Sequence, residues 1–301
     1  MSFVERVLYG ERERLGRQNR AGLPGALVQL SDGKTYYESA GPASGKPVVL
    51  IHGFSMPSFI WDPTFAALAQ AGFRVIRYDL YGRGWSDRPE ARYDKALFVR
   101  QQAELLDELK ISQASLVSLS MGGVVAAEFA FRFPKRADRL SFVDPAGFDL
   151  GLPPAVKAVF LPLVGEVLLG MLGRMGRKPL LESMLADFYQ PAPEAIVSFS
   201  QRYFEQMKYR GFKRALLSSL RSGMLDEDLL LFQRLGESGK PVQLFWGELD
   251  ETVPFRHAQT FVNLVPQTEF HPIAQARHIP HFDRPEVVNP LLIEFLARGA
   301  Q

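Results

Sequence analysis

Apolar positions along the chain fall into short continuous runs separated by stretches with helical spacing. The runs cover residues 47–51, 75–78, 116–119, 140–143 and 242–246. Apolar strands of this length suit a sheet buried on both faces. Ahead of them, residues 26–37 read as strand, turn, strand, with Ser31-Asp32-Gly33 supplying the turn. Between the runs, Asp62 is placed to cap a helix with Pro63 at its first position and Gly72 to end it. Phe98, Leu105, Leu106 and Leu109 repeat at helical spacing. This alternation predicts an α/β protein: a mostly parallel central sheet covered by helices on both faces.

The pattern breaks at about Phe148 and resumes after Gly236. The stretch between is helix-rich, punctuated by Pro153, Pro154, Pro191 and Pro193, and has no strand-like run. An insertion that returns to the same sheet is most simply a helical cap over the carboxyl edge, where such sheets bind ligands. The expected organisation is a core of residues 1–147 and 237–301 with a cap of residues 148–236. Large apolar residues crowd the cap between Val159 and Leu172, and are expected to fill its small core, its seam with the sheet and part of a lipophilic pocket.

Composition narrows the class. Of 301 residues, 47% are hydrophobic and 23% charged, the mix of a globular protein with a sizeable core. A net charge of +2 gives no argument for nucleic acid or anionic membrane as a partner. With no cysteine, disulfides, thiolate catalysis and cysteine metal sites are excluded. Charges scattered from Glu5 to Arg14 leave no room for a secretory signal. The longest apolar stretch, 155–175, contains Lys157, Pro162 and Glu166, and so does not read as a membrane span. A cytoplasmic location is expected.

The candidate chemistry centres on Leu116-Val-Ser-Leu-Ser120-Met-Gly-Gly123. An apolar strand runs into Ser120, and a helix-like stretch follows with no linker. A serine on so sharp a turn exposes its hydroxyl, and the small Ser118, Gly122 and Gly123 let strand and helix approach. The helix N-terminus offers N–H groups to developing negative charge. A glycine-rich turn in an ordinary strand–loop–helix unit accounts for the same string, so partners decide.

A serine nucleophile needs a base, and the base an orienting acid. His52 ends a strand, His271 lies within one, and His257 falls in a predicted helix at a surface position. His278 and His281 share the loop after the last strand. Asp250, after the run 242–246, is the acid candidate, with Asp144, after the run 140–143, competing. The order serine, aspartate, histidine at one sheet edge carries the specificity. Acyl transfer also needs an oxyanion hole: one donor is the N–H of Met121, and the second comes from the loop beginning His52-Gly53-Phe54.

Taken together these motifs resemble the α/β-hydrolase family, in its capped serine branch, over roughly residues 26–296. Val49-Leu-Ile-His-Gly-Phe54 is similar to the family's oxyanion strand and loop, which carries the donor role onto Phe54. Tyr78-Asp-Leu-Tyr-Gly-Arg-Gly-Trp-Ser-Asp-Arg-Pro89 resembles its structural loop. Trp246-Gly-Glu-Leu-Asp-Glu-Thr-Val-Pro254 resembles its acid loop and selects Asp250. Arg277-His-Ile-Pro-His-Phe-Asp-Arg-Pro285 resembles its histidine loop and selects His278 over His281. Ser118 and Arg277 stand where the family usually has glycine. A serine nucleophile argues against the aspartate-dependent dehalogenases and epoxide hydrolases of this fold.

The resemblance implies hydrolysis of small, lipophilic carboxylic esters of the carboxylesterase or monoacylglycerol lipase kind, with no metal or organic cofactor. Other activities of the same fold are a carbon–carbon bond hydrolase, a cofactor-free haloperoxidase and a low-turnover ligand receptor.

Overall fold

The computed structural model describes residues 11–151, 157–174 and 177–298. Eight strands form one sheet: β1 (Ala26–Gln29), β2 (Lys34–Ala40), β3 (Pro47–Ile51), β4 (Arg74–Tyr78), β5 (Ala114–Leu119), β6 (Ala137–Val143), β7 (Val242–Gly247) and β8 (Thr268–Ile273). Their order is β1-β2-β4-β3-β5-β6-β7-β8. β1 and β2 pair antiparallel, as do β2 and β4, while all pairs from β4 to β8 are parallel. The expected α/β architecture is therefore present.

Alternate residues of the central strands enter different cores. Val49, Ile51, Ile76, Leu116 and Leu244 pack into one, and Val48, Leu50, Val75, Val117 and Phe245 into the other. Side chains on a strand point to opposite faces, so a run apolar at every position needs cover on both. The first core is covered by α2 (Lys95–Glu108), α3 (Met121–Arg132), α8 (Leu229–Glu237) and α9 (His257–Leu264). The second is covered by α1 (Asp62–Gln70) and α11 (Pro285–Ala297).

Between β6 and β7 the described residues form α4 (Val164–Arg174), α5 (Arg177–Leu185), α6 (Pro193–Gln206), α7 (Phe212–Arg221) and α8, with no strand among them. The short α10 (Pro280–Asp283) precedes α11. Among the described residues no helix is long and apolar enough to cross a membrane.

Two local expectations change. Trp61, not Asp62, occupies the cap position of α1; Asp62 is its first helical residue, and its carboxylate pairs with Arg77 and Arg202 instead. The apolar run near Val159 does not simply line a pocket. Leu163 is 76% exposed and Met171 56% exposed, with Leu161, Val164 and Val167 also exposed. The amphipathic α4 turns Val164, Val167 and Met171 to the surface, and Leu161 and Leu163 are exposed just ahead of it. Pro153, Pro154 and Leu172 from the same expectation lie outside the residues described in this detail.

Candidate active site

The strand order reverses between β3 and β5, so the connections leaving their carboxyl ends run to opposite sides and open a crevice. Ser120 sits there, the one residue between the end of β5 and the start of α3. Its backbone adopts φ 51° and ψ −121°. A side chain in such a conformation costs on the order of 1–3 kcal/mol and persists only where its surroundings enforce it. Here Ser120 N–H donates to Val143 O at 3.0 Å, and Ser120 O accepts from Gly123 N at 2.8 Å and Ala146 N at 3.0 Å. Gly122 makes the turn possible: a Cβ there would lie 2.5 Å from Ile51 O and 2.6 Å from His52 O. Ser118 is fully buried and spends its hydroxyl on Ser141 O at 3.3 Å, which leaves Ser120 as the hydroxyl of this motif that lines the cavity.

Asp250 and His278 approach from β7 and β8. Asp250 Oδ1 accepts from Thr252 N at 2.8 Å and Val253 N at 3.0 Å, while Oδ2 lies 2.8 Å from His278 Nδ1. A carboxylate there puts the ring proton on Nδ1 and leaves Nε2 as the basic nitrogen. Burial works to lower the His278 pKa, but the charge and hydrogen bond of Asp250, with the charge of Asp187, more than offset it and leave it raised.

The competing residues make other contacts. His281 is buried against Trp61, ring centroids 4.1 Å apart, and burial pushes its pKa down to about 3. Asp144 is fully buried and accepts from Gly247 N at 2.9 Å. Burial, then the charge of Asp250, raise its pKa well above the carboxylate range. Asp144, Asp250 and His278 offer ligand atoms within 4.8 Å of one another, and two of the three residues are joined by the Asp250–His278 hydrogen bond. His257 is not a free surface group: it stacks on Phe148, and its Nε2 lies 3.0 Å from Asp149 O.

Ser120 and His278 face one cavity of about 140 Å³, walled by Phe54, Leu119, Leu150 and Leu225 among others. A larger cavity of about 430 Å³, lined by Trp85, Phe59 and Gln206 among others, contains none of Ser120, Asp250 and His278. Gly53 passes close by, where an added Cβ would stand 3.3 Å from Ser120 Cβ. Phe54 lines the cavity, and Met121 opens α3, so its N–H lacks an intrahelical partner. His52 supports this loop: its Nδ1 lies 2.9 Å from Gly53 O, and its Nε2 accepts from Leu80 N at 2.9 Å. Burial holds its pKa at about 3, so it stays neutral.

Asp187, from the inserted segment, also lines the cavity, and Thr252 Oγ1 donates to its Oδ1 at 2.6 Å. No motif points to it in the sequence; it lies in the turn after α5, between two helices of the insertion. Arg277, where glycine was usual, donates from Nη1 to Ala186 O at 3.0 Å and from its backbone N to Asp283 Oδ2 at 3.1 Å. It fastens the histidine loop to the inserted helices.

A strained serine at a strand–helix turn, facing a histidine held by a buried carboxylate at the switch point of a parallel sheet, is the arrangement of a hydrolase built on an α/β core. Residues 48–291 match the alpha/beta hydrolase family, and the chain belongs to it. A 2-hydroxy-6-oxo-6-phenylhexa-2,4-dienoate hydrolase of Comamonas testosteroni is 29% identical over 273 residues, 89% of this chain and 92% of that protein. A meta-cleavage product hydrolase structure from Pseudomonas fluorescens superposes with TM-score 0.73 at 25% identity, covering 90% of this chain and 97% of that one. The carboxylesterase CesB from Bacillus subtilis gives TM-score 0.73 at 21% identity, covering 92% of each chain, a likeness of fold.

Proposed function

We propose that this chain hydrolyses uncharged carboxylic esters of short to medium acyl length through an acyl-serine intermediate. The lining of the Ser120 cavity carries this reading. It is apolar apart from the catalytic groups, Ser55, Thr252 and Asp187, and no Lys or Arg is among its described residues. The dienoate named for the Comamonas relative bears a carboxylate, which would meet Asp187 here with no cation in the lining to offset it. An alkyl ester meets no such conflict.

In this mechanism Ser120 Oγ attacks the ester carbonyl carbon and its proton passes to His278 Nε2. Asp250 holds the imidazole and stabilises the cation that forms. The Phe54 and Met121 N–H groups receive the negative charge on the carbonyl oxygen, each such donor lowering the barrier by about 3 kcal/mol. The carbon–oxygen bond to the alcohol breaks, and His278 returns its proton to that oxygen. Water then attacks the acyl-serine with His278 again as base, and His278 passes that proton to Ser120 Oγ as the acyl–oxygen bond breaks, releasing the acid. Residues 148–236 act as a cap over a core of residues 1–147 and 237–301, and the substrate is a small lipophilic ester.

A cavity of about 140 Å³ is small beside ligand pockets of roughly 300–1,000 Å³. Initial rates on p-nitrophenyl esters from acetate to octanoate should therefore rise to butyrate or hexanoate and then fall. A steady decline from acetate would remove the lipophilic acyl site. A ring-cleavage dienoate turned over faster than any ester would replace ester hydrolysis with carbon–carbon cleavage.

A further inference from the structure

The loop between β4 and α2 carries Arg83, whose side chain is fully shielded from solvent. Its guanidinium donates from Nε to Phe54 O at 2.8 Å, from Nη1 to Tyr81 O at 3.1 Å and from Nη2 to Ser219 Oγ at 2.8 Å. Ser219 stands on α7 in the inserted segment and donates to Ala215 O at 3.0 Å. The rings of Phe54, Tyr93 and Phe98 surround the cation at 5.5, 5.9 and 5.5 Å. Among the described residues no carboxylate pairs with it. Burial pushes its pKa down to about 9, so it remains a cation at neutral pH.

A buried ion without a counter-ion is destabilising, because no opposite charge offsets its lost hydration. Cementing two loops would not need a charge, because a neutral donor satisfies a carbonyl at lower cost. The location supplies a reason. Arg83 grips the carbonyl of Phe54, the residue read above as an oxyanion donor. His52 lies 2.9 Å from the carbonyl of Gly53, which belongs to the same peptide group as the Phe54 N–H. Two successive carbonyls are pinned, so the peptide planes on both sides of Phe54 are fixed, and with them the direction of its N–H. The third arm of this arrangement reaches the cap.

We propose that Arg83 is a positioning residue: it holds the Phe54 backbone in the orientation that receives the oxyanion, and through Ser219 it makes that orientation depend on a seated cap. The inference rests on the acyl-serine reading. Its effect belongs to the transition state, because the Phe54 N–H meets full negative charge only there. A purely structural role would lower thermal stability and disturb KM and kcat together.

The test compares Arg83→Met, Arg83→Lys and Ser219→Ala with the wild type on p-nitrophenyl butyrate, together with Tm and the Kd of an alkyl boronic acid as transition-state probe. Losing an oxyanion donor costs 10²–10³ in kcat, so misdirecting one in Arg83→Met should cost about 10- to 100-fold, with KM nearly unchanged. The boronic acid should weaken by a similar factor. Arg83→Lys should recover part of the loss, since an ammonium can still reach the Phe54 carbonyl. Ser219→Ala leaves the Phe54 contact in place and should lower kcat by a few fold; it also keeps the test open if Arg83→Met does not fold. A folded Arg83→Met with wild-type kcat, or with its loss confined to KM, overturns the proposal. An unchanged kcat in Ser219→Ala overturns the dependence on the cap. A wild type that neither turns over esters nor reacts with an organophosphonate at Ser120 instead overturns the acyl-serine reading, and this inference with it.

Discussion

Asp144 and Asp250 bring their carboxyl groups into one buried site from the ends of neighbouring strands β6 and β7, and both lie with His278 in a cluster whose ligand atoms are within 4.8 Å of one another. Two carboxylates so close in a desolvated site cannot both ionise cheaply. The division of labour follows from their other contacts. Asp250 accepts two backbone N–H bonds on Oδ1 and engages His278 through Oδ2. Asp144 accepts one, from Gly247, and burial, then the charge of Asp250, raise its pKa.

Asp250→Asn should therefore lower kcat by about 10⁴-fold, because an amide favours the wrong imidazole tautomer. Asp144→Asn keeps an isosteric acceptor for Gly247 and leaves the Asp250–His278 contact in place, and should lose a small fraction of that. Steady-state kinetics on both variants decide between the two acids. A severe loss in Asp144→Asn, with normal folding, would move the acid role to β6.

Ser120→Ala should fold with the wild-type Tm, or slightly above it, because alanine keeps the turn and adds no bulk. It should lose nearly all esterase activity. Mass spectrometry after organophosphonate treatment should find the label on Ser120 and none on Ser118, whose hydroxyl is buried and bonded to Ser141.

The pH profile tests the charges around His278. The base must be neutral to accept the Ser120 proton, so activity falls as pH drops through its pKa. Asp250 and Asp187 raise that pKa against the pull of burial, placing the acid limb of kcat/KM above the ordinary histidine value of about 6.5. Asp187→Asn removes one of these charges and should move the limb to lower pH. A limb that does not move would show that Asp187 has no electrostatic hold on His278.

Glu11 gives a stability prediction remote from the cavity. It is buried at the start of α7, where it accepts from Gly211 N and Lys213 N, both at 2.7 Å. Burial nevertheless pushes its pKa from 4.5 to about 7. Between those values the folded state binds the proton and the unfolded state has released it, so stability falls as pH rises through this window. Glu11→Gln carries no titrating proton and should shrink the fall in Tm between pH 5 and pH 8 measured by calorimetry. An equal fall in both proteins would refute the assignment.

Much of this molecule was written in local pattern. Runs such as 47–51 and 116–119 became strands because a segment apolar at every position has to be covered on both faces, and few structures other than a central parallel strand allow that. The turn at Ser120 was legible for a similar reason: Gly122 and Gly123 stand where a side chain would strike Ile51, His52 or Pro145, so the close approach of strand and helix is recorded in the sequence. What depends on distance across the fold was not recorded. By residue type and order Asp144 and Asp250 are equivalent as loop acids, and His278 and His281 are three positions apart; only the likeness of their loops to those of the family selected Asp250 and His278. Tertiary packing alone turns Asp250 to His278 and stacks His281 on Trp61. The outward face of α4, the entry of Asp187 into the cavity and the grip of Arg83 on Phe54 arise the same way. Apolar periodicity tells a segment to bury a face, but the surface it meets is made by residues far away in the chain.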